Sequence, residues 1–241
     1  MKQSAMHRYG ENEDMTLLLY VRRELRRVAD PRKAAGMRAY MKSAMPYHGV
    51  SAPLLRTTCK GIFSDMDLAS RDTWRNCVLQ LWRGAKYREE RYAAIALSGE
   101  KRAAGFQSPQ TMPMYEEMIV TGAWWDYVDD IASHRVGLLL RAYPAPMKKK
   151  MLAWSRSENL WKRRTSIICQ LGFKKDTDLD LMYACIEPSL DSPEFFLRKA
   201  IGWALRQYAW TDPGEVRRYV RRNQDRLSSL SRREAIKNIL E

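Results

Sequence analysis

The sequence predicts an all-α fold: a HEAT-like α-solenoid of stacked antiparallel helix pairs. Three observations carry that prediction. Apolar residues recur at helical spacing in runs of roughly 10 to 18 residues, and no alternating run is bounded by hairpin turns. Short Pro, Gly, Asp and Ser punctuation separates the runs. The helices also repeat: Trp125–Ile131 can be laid over Trp161–Ile167 at a step of 36 residues, and Trp161 over Phe196 at a step of 35. Ile95, Ile131 and Ile167 continue the 36-residue spacing. A period of this length filled by two helices is the mark of an α-solenoid. A compact helical bundle with accidental spacing is the alternative.

In chain order, the polar stretch 1–14 is expected to be a flexible N-terminus, and residues 15–241 a single repeat domain. Gly49, Gly84 and Gly105 read as stops or loops, with a helix start at Asp72-Thr73 between them. Pro144-Ala145-Pro146 breaks the chain, Ser157-Glu158 opens the next helix, and Gly172 ends it. Further starts lie at Asp191-Ser192-Pro193 and at Asp212-Pro213, the latter with Glu215 in its first turn. Basic stripes appear at Arg22-Arg23 with Arg26-Arg27, at Lys148-Lys149-Lys150, and at Arg217-Arg218 with Arg221-Arg222. Singly these are solvated faces. Together they suit a groove that follows a polyanion.

Bulk charge points the same way. Forty-two Lys and Arg against 28 Asp and Glu leave a formal charge of +14. A surplus of that size favours a nucleic-acid partner, because each cation set against a phosphate releases condensed counterions. No run approaches the roughly 18 apolar residues of a membrane helix, and nothing resembles a signal peptide, so a cytoplasmic protein without membrane contact is expected. Cys59, Cys77, Cys169 and Cys185 form no CxxC pair, and His7, His48 and His134 are scattered. Reduced thiols and no metal site are the expectation.

The repeat frame also selects residues. With Trp125, Trp161 and Phe196 each counted as position zero, Asp129 falls at +4, Arg164 at +3 and Trp203 at +7. Those offsets share one helical face, and stacked repeats set such faces side by side on the surface where solenoids bind. Each residue alone has a plainer reading: the tryptophans as core, Asp129 and Arg164 as surface charges or an inter-helix ion pair. Convergence on one stripe is what favours a site.

The strings Trp124-Trp125-Asp126-Tyr127-Val128-Asp129, Trp161-Lys162-Arg163-Arg164 and Phe195-Phe196-Leu197-Arg198-Lys199-Ala200-Ile201-Gly202-Trp203 resemble the AlkD-like DNA alkylation-repair glycosylases. Tyr40-Met41-Lys42, followed by Gly49-Val50 and Pro53, is similar to that family's N-terminal region. There Met45-Pro46-Tyr47-His48 departs from a more Phe-rich pattern. The resemblance runs from about residue 15 to the C-terminus.

It implies helical repeats cradling double-stranded DNA and hydrolysis of the N-glycosidic bond of 3-methyl- or 7-methylpurines, without flipping the base and without a cofactor or metal. Carried over by motif, the catalytic acid falls on Asp129, its flanking tryptophans on Trp125 and Trp203, and a backbone-contacting arginine on Arg164. Tyr40, Trp161, Lys162, Arg163 and Phe195 are the further DNA-binding candidates, in a chain expected to act as a monomer.

The chemistry suits these residue types. An N3- or N7-alkylated purine already carries positive charge and leaves without a general acid. A single carboxylate can then offset the oxocarbenium-like sugar and orient the water. Indole faces can hold the cation, and an arginine can hold neighbouring phosphates. No catalytic lysine is needed, so base removal without strand cleavage is expected. The rival reading is a non-catalytic HEAT-like scaffold that binds nucleic acid or protein.

Overall fold

A computed structural model describes residues 16–64 and 66–239, so the expected flexible stretch 1–14 lies outside the described residues. Every regular element among the described residues is helical, and they form two compact units, Met1–Gln107 and Ser108–Glu241. The first unit holds α1 (Leu17–Arg27), α2 (Pro31–Tyr40), α3 (Ala52–Phe63), α4 (Arg71–Gly84) and α5 (Arg88–Ser98). The second holds α6 (Met112–Gly122), α7 (Trp125–Ile131), α8 (Gly137–Ala142), α9 (Pro144–Ser155), α10 (Leu160–Ile168), α11 (Leu179–Ile186), α12 (Phe195–Ala209), α13 (Pro213–Arg222) and α14 (Ser229–Ile236). A π turn, Ala132–Val136, joins α7 to α8 without a break.

Helix starts follow local hydrogen-bond chemistry. Asp212 accepts from Glu215 N at 2.9 Å, with Pro213 in the first turn, where its missing N–H costs nothing. Elsewhere the cap differs from the sequence expectation. Ser70, two residues ahead of Asp72, caps α4 by accepting from Thr73 N at 3.1 Å. Asn159, just past Ser157-Glu158, caps α10 by accepting from both Trp161 N and Lys162 N at 3.0 and 3.1 Å. Either oxygen acceptor satisfies the orphan donors of a first turn, so several neighbouring residues compete for the role.

In the first unit, α1, α3, α4 and α5 bury Val21, Leu25, Trp74, Val78, Leu81 and Leu97. Two adjacent glutamates on α5 organise the polar interior. Glu89, wholly buried, accepts from the backbone N–H groups of His48, Gly49 and Val50 at 3.0, 2.9 and 3.1 Å. Glu90 takes a bidentate pair from Arg22 at 2.6 and 2.9 Å. Burial would raise the Glu90 pKa, but Arg22, His48 and the Lys86 N–H together hold it down to about 2. Gly49 has φ +85°, and a Cβ there would sit 2.0 Å from the Asp30 carbonyl oxygen. The Gly49-Val50 signature is thus a turn that only glycine fits, with Glu89 acting as its anion anchor.

In the second unit α12 is the central element. It packs on α10, α13 and α14 and buries Leu197, Ala200, Ile201, Ala204 and Leu205. Gly202 lets α14 approach: a Cβ there would lie 2.5 Å from Glu234 Cβ and 3.0 Å from Ser231 O. Cys59, Cys77, Cys169 and Cys185 are all free thiols. Burial pushes Cys59 and Cys185 up to about 12, which makes them packing residues rather than nucleophiles.

Candidate active site

The site is assembled on α7, α10 and α12. Arg164, in α10 and 4% exposed, lies between the other two helices. Its Nε and Nη2 donate to the two carboxylate oxygens of Asp129, each at 2.7 Å, and its Nη1 donates to the Phe196 carbonyl at 2.6 Å. The guanidinium fork matches the carboxylate plane, which gives direction as well as strength. One side chain therefore ties three helices and aims the carboxylate. Asp129 keeps 14% of its side-chain surface open. Burial pushes its pKa above the usual carboxylate range, Arg164 opposes that rise, and the charge of Asp126 adds to it.

The backbone around Asp129 is irregular. The π turn begins three residues later, and Ser133 Oγ donates to the Asp129 carbonyl at 2.6 Å. Widening a helix to i→i+5 bonding disturbs its carbonyl ladder, and π turns of this kind concentrate at functional sites. Ser133 supplies an extra donor at that point.

Aromatic rings pack the N-terminal ends of the three helices together. Phe196 lies 5.0 Å from Trp161 and 5.6 Å from Trp124, the latter edge-on, and Trp124 lies 6.4 Å from Trp161. Trp161 is buried, and Phe195, edge-on to Phe196 at 5.4 Å, is exposed. The third member of this cluster is Trp124, the residue immediately before α7. Trp124 is the aromatic residue of this cluster that the repeat frame did not single out. The indole N–H of Trp124 is buried without an acceptor.

The other expected residues distribute as follows. Trp125 is half-buried and opens α7 one turn before Asp129, on the same face. Trp203 stands seven residues after Phe196, also on a shared face, half-buried against the core of the second unit. Lys162 pairs with Glu116, which Lys150 also approaches at 3.4 Å. Arg163 donates to Ser189 Oγ and to the Pro188 carbonyl at 2.9 and 3.0 Å. Both cations thus have protein partners. Tyr40 ends α2 in the first unit and is 78% exposed. The structure brings Asp129 and Arg164 into contact and sets Trp161 and Phe195 in the adjoining aromatic cluster.

A family model described as DNA alkylation repair enzyme matches residues 21–239. The chain belongs to the DNA alkylation repair enzyme family. The membership spans both compact units. Among solved structures, a predicted DNA alkylation repair enzyme from Enterococcus faecalis is similar at 28% identity and a TM-score of 0.80, covering 88% of this chain and 97% of that one. AlkD2 from Streptococcus mutans matches at 13% identity and a TM-score of 0.61, covering 94% of this chain and 100% of that one. The smu.31 protein from Streptococcus mutans UA159 matches equally well, at 13% identity and 0.61; at that identity both show the fold alone. No curated protein sequence matches. The all-α, helical-repeat architecture expected from the sequence is therefore the fold of this family member, and its activity is a DNA alkylation repair function.

Proposed function

We propose that this family member is a monofunctional DNA glycosylase that hydrolyses the N-glycosidic bond of cationic N3- and N7-alkylated purines in duplex DNA. The observation that carries the reading is the Arg164-held carboxylate of Asp129, mostly buried yet open at one edge, at the end of a cluster of tryptophans. A fixed carboxylate in a low-dielectric setting offsets a developing sugar cation better than a hydrated one, since its field is not screened and it needs no reorganisation. At about 4 Å and an effective dielectric near 20 the attraction is roughly 4 kcal/mol. The same carboxylate can orient or deprotonate the attacking water. Trp125 and Trp203 offer ring faces for the deoxyribose cation, worth on the order of 0.5–2 kcal/mol each.

Nothing in this set protonates a neutral leaving base. His134, exposed, has its Nδ1 3.4 Å from Ser133 Oγ and 3.6 Å from Asp130. The lesion's own charge supplies the lability, which agrees with a site that reads the backbone rather than enclosing a flipped base. The set Asp129, Arg164, Trp125 and Trp203 holds no lysine to form a Schiff base, so the product of this mechanism is an abasic site in an unbroken strand.

A purely structural role for the Asp129–Arg164 pair, as an inter-helix tie in a scaffold, is the competing reading, and the pair's geometry suits it too. Release of free 7-methylguanine from a defined duplex separates the two. A glycosylase liberates the base and leaves alkali-labile, uncut strands; a scaffold leaves the lesion in place.

A further inference from the structure

A helix in a folded protein is held mostly by the face it buries, and α2 buries no residue. Within Pro31–Tyr40 only Ala34 and Met37 are even partly covered. Every other α-helix among the described residues buries at least two. A Cβ on Gly36, in the middle of α2, would meet nothing within 4 Å. The side chains give one another no support either: α2 contains no acid, so no i,i+4 ion pair forms along it. A helix with neither a buried stripe nor such pairs is not stable by itself. Its 10 residues fall short of the roughly 12–15 at which even alanine-rich helices are marginal in water. The central glycine lowers that further.

What holds α2 is its two ends. Asp30 caps the first turn, accepting from Arg32 N at 3.2 Å, and its own N–H donates to the His48 carbonyl at 3.2 Å. That carbonyl belongs to the turn that Glu89 fixes. At the other end Arg38 Nε donates to the Ser43 carbonyl at 3.1 Å, and Met41 is buried. Both ends are thus tied to the first unit while the turns between them are bare.

Charge selects the partner. From Asp30 to Lys42 stand four cations, Arg32, Lys33, Arg38 and Lys42, against one acid, Asp30. Asp30 serves Arg32 and Lys33 at 3.1 and 3.3 Å, and the carbonyls that meet Arg38 leave its charge uncompensated. Without an apolar stripe α2 cannot lie in a hydrophobic groove as an amphipathic helix does. Its surplus of positive charge suits a polyanion.

We propose that α2 frays in the free protein and is completed as a helix when duplex DNA lies against it, so that ordering α2 is a step of DNA binding. The proposal rests on the duplex-DNA reading above. A segment that is helical for only part of the time lowers the apparent affinity by that fraction, which makes α2 a control on how tightly the chain holds DNA.

The test is amide hydrogen exchange at residues 35–40, whose N–H groups bond within α2, with and without a duplex carrying one 7-methylguanine. In the free protein these amides should exchange far faster than those of α12, and the duplex should slow them by about tenfold or more. Gly36→Ala adds a Cβ that touches nothing and favours the helix by about 1 kcal/mol, so the duplex should bind up to about fivefold tighter, at 1.4 kcal/mol per tenfold. Gly36→Pro, which cannot complete the helix, should bind more weakly with an unchanged melting temperature. Exchange in the free protein as slow as in α12, or exchange that bound duplex leaves unchanged, would overturn the proposal while DNA binding stands. Slowing by poly-glutamate and not by duplex would overturn the choice of partner. Failure of wild type to bind duplex at all would remove the reading on which the proposal rests.

Discussion

Replacing Arg164 by Gln removes the charge that opposes the rise in the Asp129 pKa, and the consequence is a displaced pH profile. Arg164 meets both carboxylate oxygens at 2.7 Å. Neighbouring arginines of this kind lower an aspartate by about 1–3 pH units. Excision needs the carboxylate ionised, so its rate rises with pH through the Asp129 pKa. That midpoint already lies above the usual carboxylate range, because burial outweighs the pair. In Arg164→Gln it should move up by a further 1–3 pH units.

Stability should follow with a definite sign. A carboxyl whose folded pKa exceeds its unfolded one adds stability that is fully present below the unfolded pKa. That stability is lost as pH rises through the folded pKa. The variant should therefore be weaker than wild type at neutral pH, by about 3 kcal/mol for a broken buried pair, and the deficit should shrink on acidification. The assay is single-turnover release of 7-methylguanine between pH 4.5 and 8, corrected for spontaneous loss, with melting curves at the same pH values. Arg164→Lys keeps the charge and should stay near the wild-type midpoint. A profile for Arg164→Gln that superimposes on wild type would refute the assignment of Asp129 as the ionising group.

Two further predictions concern the frame. Gly202→Ala should destabilise the protein by about 1–3 kcal/mol, since its Cβ would meet Glu234 Cβ at 2.5 Å; an unchanged urea midpoint would mean that α14 yields without cost. Glu89→Ala strands three buried backbone N–H groups at about 1–3 kcal/mol each before relaxation. Hydrogen exchange at Gly49 and Val50 should quicken by more than tenfold, and protection equal to wild type would show that the turn holds without its anchor.

Much of this was legible in the sequence, for reasons that can be named. Helical periodicity and the 35–36 residue step predicted an all-helical repeat fold because each repeat must bury a similar face. The contact between Asp129 and Arg164 was legible as the inter-helix ion pair that offsets of +4 and +3 in neighbouring repeats allow. Arg164's particular task was not legible. Its type and position suit phosphate binding as well as ion pairing, and only the 2.6 Å bond to the Phe196 carbonyl shows that the fork is already engaged on three sides. That Trp124 is the ring meeting Trp161 and Phe196 was not legible, because two adjacent tryptophans give the pattern no means of choosing between them. The protein partners of Lys162 and Arg163 were not legible, because Glu116 and Ser189 lie 46 and 26 residues away, beyond the reach of local pattern. The π turn left no signal at all: Ala132-Ser133-His134-Arg135-Val136 is ordinary helical sequence.

The Asp129 mechanism is measured most directly by free-base release under single-turnover conditions from otherwise identical duplexes, each with one lesion, by wild type and Asp129→Asn. Wild type should release 7-methylguanine and 3-methyladenine and leave hypoxanthine and uracil in place. Asp129→Asn, still folded and still binding DNA, should be slower by about 100- to 1,000-fold, the usual loss for one electrostatic stabiliser of a transition state. Efficient release of hypoxanthine or uracil, or near-normal excision by Asp129→Asn, would contradict it.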